Sequence, residues 1–354
     1  MNIGILGGGQ LAQMLALAGI PLGFRFRFFD PSPSAPAACA GKHILASFDD
    51  TAALDAFCEG LDVITYEFEN IPASTVEYVT KRLPVRPSLE CLTATQERLA
   101  EKTLFQQLNI PTAAFVTVDV AEDLKTVASQ IGFPCMFKAR RSGYDGKGQR
   151  LVKSAEELLP AWEALGSVPI IAEQYIRFTR EVSLIAVRSL HGAMKYYALT
   201  ENYHRDGILR RSLAPASSPL QSTAESYASL VMKHLNYVGV LCIEFFESNG
   251  GLIANEMAPR VHNSGHWTIE GAKTSQFENH LRAITDMPLG STDIISPTVM
   301  MNIIGTVPDT RALMDIENAH IHLYGKSAKP GRKLGHITIL GGKTSPEIEK
   351  MLHM

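Results

Sequence analysis

Several features that mark particular classes of protein are absent from this chain of 354 residues. No apolar run reaches the roughly 18 residues that a membrane-spanning helix needs, and the first residues lack the basic segment and apolar core of a signal peptide. The five cysteines are scattered and form no Cys-x-x-Cys pair, which predicts reduced thiols in a cytoplasmic protein. A net charge of −3 argues against a protein that coats nucleic acid. We therefore expect neither a membrane nor a nucleic acid as partner.

Two common catalytic signatures are missing as well. Gly342-Lys343-Thr344 resembles the end of a Walker phosphate loop, but Ile337 stands where the first glycine of that loop should be. The metalloprotease motif His-Glu-x-x-His does not occur. Neither motif therefore supports a function for this chain.

The composition is that of a globular protein with large cores, because 45% of the residues are hydrophobic and 19% are charged. The length predicts about two to three domains. Strands alternate with helices in the first hundred residues, which predicts a parallel sheet followed by one helix from Leu89 to Leu108. Hairpins follow from about residue 180, and short strands after Pro297 predict a small terminal β unit. We expect a multidomain chain that combines α/β and α+β parts.

A glycine turn follows the first predicted strand. Gly7-Gly8-Gly9-Gln10-Leu11-Ala12 fits the dinucleotide pattern G-x-G-x-x-G/A, and Asp30 stands at the end of the next predicted strand, where that pattern has its ribose ligand. The motif alone favours an NAD(P)-dependent oxidoreductase, yet its glycines and helix N-terminus would suit a sugar phosphate equally well. A turn without a ligand is the third interpretation.

A second glycine loop indicates a nucleotide phosphate. Lys138 lies on a predicted strand before the loop 142–148, in which Gly143, Gly146 and Gly148 make the backbone mobile. Backbone amides of such a loop can surround phosphate oxygens, and Lys138 and Lys147 supply positive charge. The alternative is an ordinary hairpin tip on the surface.

Two acids on a later hairpin indicate a metal ion. If the turn centres on Gly250, Glu244 and Glu256 face each other with Cβ atoms about 5 Å apart. Two carboxylates so close repel each other unless a cation lies between them. Hard oxygen ligands beside a phosphate loop, with Asn255 adjacent, favour Mg²⁺. The alternative is an exposed sheet face with unrelated acids.

Two further segments are rich in groups that bind ligands. The segment 258–267 after the hairpin carries a density of donors that an inert loop does not need, and it is interpreted as a substrate loop or as a capped helix start. The segment 326–333 is a basic cluster in an acidic protein. It would hold an anionic group, or it is a solvated loop.

These features together resemble the ATP-grasp superfamily, with its lysine before a Gly-rich lid, an acidic hinge strand and two carboxylates on a late hairpin. More narrowly, nearly the whole chain is similar to the family of 5-(carboxyamino)imidazole ribonucleotide synthases of purine synthesis. The long match from Asn255 to Trp267 is the most specific part. The other matching stretches are Gly8-Gly9-Gln10-Leu11, Gly143-Tyr144-Asp145-Gly146-Lys147-Gly148, His204-Arg205-Asp206-Gly207-Ile208 and Pro330-Gly331-Arg332-Lys333-Leu334-Gly335-His336.

The resemblance implies a cytoplasmic ligase without a membrane partner, whose small-molecule partners are ATP, bicarbonate and aminoimidazole ribonucleotide. Bicarbonate would be phosphorylated to carboxyphosphate, which would carboxylate the exocyclic amine with release of ADP and phosphate. The implied cofactor is Mg²⁺, with Mn²⁺ as a substitute, and the implied assembly is a homodimer. A nearer alternative within the superfamily is the formate-dependent glycinamide ribonucleotide transformylase or a biotin carboxylase.

The resemblance also assigns roles to residues. The residues implied to bind ATP are Arg98, Lys138, Ser142, Gly143, Tyr144, Asp145, Gly146, Lys147, Gly148, Glu173, Gln174, Tyr175, Ile176, Glu181, His204, Asn255 and Glu256. The metal ligands would be Glu244, Asn255 and Glu256. The residues implied to bind the ribonucleotide are Gly8, Gly9, Gln10, Leu11, Glu67, Asn263, Ser264, Lys326, Arg332 and Lys333. Catalytic roles are implied for Tyr144, Asp145, Arg260 and His262.

Four segments are expected from the same resemblance. Residues 1–95 would form a Rossmann-like domain and 96–172 a small ATP-grasp subdomain with the lid. Residues 173–295 would form the large catalytic subdomain, and 296–354 the terminal β unit.

Overall fold

A parallel sheet forms the N-terminal part of the computed structural model, which describes residues 1–141, 143, 146–344 and 346–352. Its strand order is β3-β2-β1-β4, and helix α1 packs beside it. Because the sheet is covered, its strands are apolar on both faces, as Phe28 and Phe29 illustrate. The elements are β1 Asn2–Leu6, α1 Gln10–Gly19, β2 Arg25–Phe29, β3 Lys42–Ile44, α2 Thr51–Cys58, β4 Val63–Tyr66, α3 Ala73–Thr80 and α4 Leu89–Gln96.

A small antiparallel sheet follows, in the order β5-β8-β6-β7. Val118, Phe137 and Ile170 lie in its core beneath the two helices that connect its strands. This arrangement positions Lys138 at the end of a central strand. The elements are α5 Arg98–Gln107, β5 Phe115–Val118, α6 Leu124–Gln130, β6 Cys135–Ala139, β7 Gln149–Val152, α7 Leu158–Ala164 and β8 Ile170–Gln174.

The third sheet is the largest in the described part of the chain and is antiparallel throughout. Its order is β14-β13-β9-β11-β12-β15-β17-β16, with β10 paired to β9. The predicted terminal β unit has its own small core around Ile337 and Leu313, and it continues this sheet through the β12–β15 pair. The elements are β9 Arg180–Arg188, β10 Met194–Tyr196, β11 Thr200–Arg205, β12 Ile208–Ala214, α8 Gln221–His234, β13 Gly239–Ser248, β14 Gly251–Ala258, α9 Thr268–Gly271, α10 Gln276–Ile284, β15 Thr298–Ile304, α11 Thr310–Met314, β16 Ala319–Leu323, β17 Lys333–Leu340 and α12 Pro346–Met351.

The single helix predicted from Leu89 to Leu108 is wrong, because the chain breaks at Glu97 into α4 and α5. Glu97 has an extended backbone and caps α5, since its carboxylate accepts hydrogen bonds from the amides of Leu99 and Ala100. Arg140 fixes the same carboxylate with an Nε–Oε1 distance of 2.7 Å. The break turns Arg98 and Glu101 towards the interior.

The N-terminal domain is joined to the large sheet by packing and by one buried hydrogen-bonded histidine. Helix α1 packs on α10, where Gly19 lies beside Leu281. His280 on α10 bridges Thr65 of β4, at 2.9 Å, and the amide of Val240 on β13, at 3.1 Å. The described residues include no helix long and apolar enough to cross a membrane.

Candidate active site

A cavity of about 530 Å³ lies where the three sheets meet. Loops after β1 and β4, helix α5, the end of β6, the glycine loop and the β13–β14 hairpin all contribute to its wall. Most of the residues with predicted roles are therefore brought together. Those that line the cavity are Gln10, Leu11, Glu67, Arg98, Lys138, Gly143, Gly146, Lys147, Glu181, His204, Glu244, Asn255, Glu256, Arg260, His262, Asn263 and Lys333.

The N-terminal glycine turn is filled by carboxylates. The amide of Gly8 donates to Asp30 at 2.8 Å, and the amides of Gly9 and Ala12 donate to Glu67 at 2.7 and 3.3 Å. Burial raises the pKa of Glu67, although these amides and Lys326 act in the opposite direction. A pyrophosphate would need the same three amides, so their carboxylate partners disfavour the dinucleotide interpretation. The turn presents Gln10, Leu11 and a carboxylate that can accept from hydroxyl groups.

Lys138 belongs to a buried charge cluster, of which the sequence patterns predicted Lys138 and Glu173 but not Lys102. The carboxylate of Glu173 forms ion pairs with Nζ of Lys138, at 2.7 Å, and with Nζ of Lys102, at 3.2 Å. Although burial opposes its ionisation, these two lysines lower the pKa of Glu173 to about 2. The side chain of Glu173 thus anchors the two lysines, and the predicted hinge residues Gln174, Tyr175 and Ile176 do not line the cavity. Lys102 was missed because a lysine on a helix usually faces solvent.

Gly143, Gly146 and Lys147 of the glycine loop line the cavity, and Gly146 meets the turn between β11 and β12. Gly146 has a φ of 74° and lies close to Gly207: a Cβ added at Gly146 would lie 2.8 Å from the Cα of Gly207. Gly148 does not line the cavity, but its carbonyl accepts from the amide of Ala139 and fixes the end of the loop. The predicted residues Ser142, Tyr144 and Asp145 lie outside the described residues.

Two predicted nucleotide ligands form a pair on neighbouring strands. Glu181 of β9 and His204 of β11 lie 2.8 Å apart, between Oε2 and Nδ1. Burial lowers the pKa of His204, but the hydrogen bond to Glu181 and the charge of Glu244 outweigh it and raise the pKa. The hairpin that carries His204 was not predicted.

Glu244 and Glu256 face each other, as predicted, but for a different reason. The turn is the pair Asn249-Gly250, both with positive φ, and Ser248 pairs with Gly251. That register would place Glu244 opposite Asn255. A β-bulge between Phe245 and Glu244 shifts the pairing by one residue and restores the opposition of the two acids.

Each member of the predicted metal site has a partner of its own. Glu256 pairs with Arg98 at 3.0 Å, Glu244 with His262 at 3.1 Å, and the Asn255 carbonyl accepts from Lys138 at 3.0 Å. Burial opposes the ionisation of Glu244, yet the hydrogen bond from His262, together with His204 and Lys333, lowers the pKa of Glu244 to about 2. Among the described residues no three His, Cys, Asp or Glu side chains form a complete metal cage. Two carboxylates and an amide oxygen fit Mg²⁺, which usually keeps water and phosphate ligands.

A third carboxylate beside this site was missed. Glu101 of α5 lines the cavity, and its Oε1 accepts from the amide of Met257 at 2.6 Å. Burial and the nearby charge of Glu256 raise the pKa of Glu101 to about 8. The predicted continuous helix gave no reason to place Glu101 inside the protein.

Arg260 is held by a carboxylate that no motif contains. Its Nε donates to Oε2 of Glu69 at 2.5 Å, and the carbonyl of Glu69 in turn accepts from Gln96 at 2.8 Å. Burial opposes ionisation of both side chains, but each charge stabilises the other, which raises the pKa of Arg260 and lowers that of Glu69. The cluster of Glu67, Phe68 and Glu69 after β4 was the available signal.

The predicted phosphate-binding tail and substrate loop are only partly exposed to the cavity. Lys333 lines it, whereas Lys326 contacts Gln10 and Arg332 donates to Ser327. Ser264 is fully buried and does not line the cavity, because its hydroxyl is engaged by Ser183 and His262. Ser264 is therefore not positioned to contact a substrate in the cavity.

The chain matches three family models in succession. Residues 1–96 match the ribonucleotide synthetase preATP-grasp domain, 103–277 the ATP-grasp domain and 298–350 the phosphoribosylaminoimidazole carboxylase C-terminal domain. It is 49% identical to the N5-carboxyaminoimidazole ribonucleotide synthase of Pseudomonas aeruginosa, over 96% of this chain and 94% of that protein.

Solved structures show the same likeness over the whole fold. The N5-carboxyaminoimidazole ribonucleotide synthetase of Thermus thermophilus is 52% identical, with a TM-score of 0.93 over 96% of this chain and 94% of that one. The enzyme of Aspergillus clavatus, solved with ADP and 5-aminoimidazole ribonucleotide, is 32% identical with a TM-score of 0.89. The match covers 99% of this chain and 96% of that one.

Fold, cavity and matches together define an ATP-grasp ligase, which uses ATP and Mg²⁺. Within that class the chain belongs to the N5-carboxyaminoimidazole ribonucleotide synthase family of purine biosynthesis. The activity is the ATP-dependent carboxylation of 5-aminoimidazole ribonucleotide. The oxidoreductase alternative is wrong, because the glycine turn that suggested it is occupied by Asp30 and Glu67.

Proposed function

We propose that the cavity carries out this carboxylation in two steps, with bicarbonate as the carbon source. A bicarbonate oxygen attacks the γ-phosphorus of ATP, the bond to ADP breaks, and carboxyphosphate forms. The bond between its carboxyl group and phosphate then breaks, releasing phosphate. The carboxyl carbon bonds to the exocyclic amine of the ribonucleotide, which loses a proton. The observation that carries this proposal is that Lys138, the two facing acids and Arg260 line one cavity.

We assign ATP to the side of the cavity formed by the small sheet and the lid. Lys138 lies at the end of β6, where its Nζ forms an ion pair with Glu173. Arg98 and Lys147 add positive charge, and the amides around Gly146 can surround phosphate oxygens. Glu181 can accept from ribose hydroxyls beside His204. Residues 173–176 would form the adenine edge through their backbone.

We assign Mg²⁺ to Glu244, Asn255 and Glu256. When bound, the ion neutralises charge that develops on the transferred phosphoryl group. The protein's own contribution is to hold two ionised oxygens on facing strands beside Lys138 and Arg98. Mn²⁺ has the same preference for oxygen ligands and is expected to substitute.

We assign bicarbonate to Arg260 and His262, and the ribonucleotide to the opposite wall. Arg260 presents a guanidinium already oriented by Glu69, which suits a small planar anion. Glu67 can accept from ribose hydroxyls, with Gln10 and Leu11 beside it. Lys333, supported by Lys326 and Arg332 in the same tail, can hold the 5′-phosphate. Water must be excluded during the reaction because carboxyphosphate hydrolyses, and the lid is suited to that task.

The finer predictions on organisation belong to the same proposal. We propose the four segments 1–95, 96–172, 173–295 and 296–354; the separate N-terminal sheet and the break before α5 support the first boundary. We further propose a homodimer that acts in the cytoplasm. Sedimentation of the purified protein tests the dimer.

The experiment that tests the metal assignment compares Glu256→Gln with Glu247→Gln. Glu247 lies on the same hairpin but does not line the cavity. We expect Glu256→Gln to remain folded and to need a much higher Mg²⁺ concentration for turnover, while Glu247→Gln keeps the Mg²⁺ dependence of the unchanged protein. Normal turnover of Glu256→Gln at low Mg²⁺ would contradict the assignment.

A further inference from the structure

A chain of buried hydrogen bonds runs from the large sheet to His262. The Ser212 hydroxyl of β12 donates to Asn202 on β11 at 2.8 Å, and the Asn202 amide donates to Ser183 on β9 at 2.9 Å. Ser183 and Ser264 lie 2.7 Å apart, and Ser264 lies 2.8 Å from Nδ1 of His262. Ser183, Ser212 and Ser264 are completely buried. Buried polar chains of this kind are costly unless every member is satisfied.

The direction of the last hydrogen bond is fixed by the backbone. The amide of Ser264 also points at Nδ1 of His262, at 3.3 Å, and a backbone N–H can only donate. Nδ1 must therefore carry a lone pair, and the Ser264 hydroxyl donates to the same nitrogen. Each hydroxyl has one proton, so Ser183 donates to Ser264 in turn. All the donors in the chain point towards His262.

The ring proton of His262 is consequently on Nε2. That nitrogen lies 3.1 Å from Oε1 of Glu244, at the wall of the cavity. A ring with its proton there donates to Glu244 and has no lone pair on Nε2 with which to accept a proton from a substrate on that side. The tautomer of a histidine is set in this way by the partner of its other nitrogen.

We propose that Ser264 and Ser183 are positioning residues that hold His262 as the neutral tautomer protonated on Nε2, so that His262 acts as a hydrogen-bond donor and not as a general base. This inference rests on the proposed placement of bicarbonate beside Arg260 and His262. Ser264 then acts by orienting His262, and not by the direct substrate contact that the sequence predicted. The neutral N–H donor of His262 would supplement the charged guanidinium of Arg260 on the bicarbonate side of the cavity.

The test reads the tautomer directly, by nitrogen NMR of the full-length protein labelled with ¹⁵N-histidine. The His262 signals are identified by their loss in His262→Gln. We expect an unprotonated Nδ1 and a protonated Nε2 in the unchanged protein at neutral pH. In Ser264→Ala and in Ser183→Ala the two signals should move towards a mixture of tautomers. A protonated Nδ1 in the unchanged protein, or unmoved signals in both variants, would overturn the proposal.

Thr338→Val is the matched control. Thr338 on β17 is fully buried in the same sheet, and its hydroxyl has no hydrogen-bond partner among the described residues. Removing that hydroxyl tests the loss of a buried hydroxyl as such, and the His262 signals should stay in place. A shift as large as that in Ser264→Ala would assign the effect to general loosening of the sheet and overturn the proposal.

Kinetics separates positioning from a purely structural role. We expect Ser264→Ala to lower kcat/KM for bicarbonate by about ten- to hundredfold, the usual range for a residue that orients a catalytic group, with the KM for ATP unchanged. Equal losses for ATP and bicarbonate would contradict positioning. An absence of carboxylation in the unchanged protein would reject the proposed function. The NMR measurement does not depend on turnover, so it would still decide whether Ser264 and Ser183 set the tautomer of His262.

Discussion

At the scale of single residues, the ion pair between Arg260 and Glu69 lies in the wall of the cavity that we propose binds bicarbonate. Nε and Oε2 lie 2.5 Å apart, and both side chains are largely shielded from water. A buried guanidinium without its carboxylate would be an uncompensated charge. Glu69 is therefore expected to control both the orientation of Arg260 and the local stability of the wall.

We predict that Glu69→Gln raises the KM for bicarbonate about tenfold, which corresponds to about 1.4 kcal/mol of binding free energy. The amide keeps the shape of the side chain but loses the charge that orients Arg260. Glu77→Gln is the control, because Glu77 is exposed and pairs only with Lys81. The measurement is initial-rate kinetics with bicarbonate varied. An unchanged bicarbonate KM together with a raised ATP KM would show that Arg260 serves the nucleotide.

Sequence patterns predicted most residues that line the cavity but missed, among others, Glu69 and Glu101, and they also missed Lys102, which pairs with Glu173. The predicted residues belong to runs whose composition suits one task, such as the glycine loop or the substrate loop. These three missed residues are single charges in ordinary helical or loop sequence. Only the fold places Glu101 and Lys102 next to other buried charges, so no local pattern distinguishes these two from surface residues, whereas Glu69 had the neighbouring Glu67 as a signal.

At the scale of elements, the bulge in the β13–β14 hairpin is stabilised by helix α5. A bulge leaves backbone groups unpaired. Here the Ala254 carbonyl accepts from Lys102, at 3.3 Å, and the Met257 amide donates to Glu101, at 2.6 Å. The two side chains flank Asn255, the extra residue, and thereby fix the register that opposes Glu244 and Glu256.

The dependence of the β13–β14 bulge on contacts with helix α5 explains why some elements were predictable and others were not. The first strand and the helix that follows its glycine turn are visible in the hydrophobic periodicity of the sequence and are present in the structure. The bulge and the break at Glu97 depend on contacts with distant residues, which periodicity does not contain. The β11–β12 hairpin was missed although Asp206-Gly207, both with positive φ, is a typical tight-turn pair.

In the glycine turn after β1, Gly9 packs so closely against Glu67 that the position has no room for a side chain. A Cβ at Gly9 would lie 2.4 Å from Oε1 of Glu67, so Gly9→Ala must displace the carboxylate. We expect the KM for the ribonucleotide to rise about tenfold or more, while ATP binding, measured by calorimetry, is unchanged. In the control Gly251→Ala the new Cβ meets only the Ser248 carbonyl, at 3.8 Å, and kinetics should not change. Weaker ATP binding in Gly9→Ala would place the nucleotide on this wall instead.

At the scale of the whole molecule, the N-terminal domain and the large sheet share the buried side chain of His280. Burial lowers its pKa to about 3, so the ring is neutral in the folded protein. Its bonds to Thr65 and Val240 use one nitrogen as donor and the other as acceptor, an arrangement that only a neutral ring can make. Protonation would therefore loosen the joint between the two parts.

We predict that the free energy of unfolding falls as the pH drops below about 6.5. An unfolded histidine binds a proton near that pH, whereas folded His280 does not until about pH 3, so the unfolded state gains protons first. The contribution of this one group between pH 7 and pH 5 is about 2 kcal/mol. Denaturant titrations should show a smaller pH dependence in His280→Gln than in the unchanged protein. His191→Gln, at an exposed position, should leave that dependence as it is, and an equal effect of both variants would contradict the account.

The central claim is that one cavity couples ATP cleavage to carboxylation of aminoimidazole ribonucleotide. The most direct measurement is the release of phosphate from Mg-ATP in bicarbonate buffer, with and without that nucleotide. The account predicts strong stimulation by the nucleotide and one phosphate released for each molecule carboxylated. Phosphate release that is indifferent to the nucleotide would contradict it.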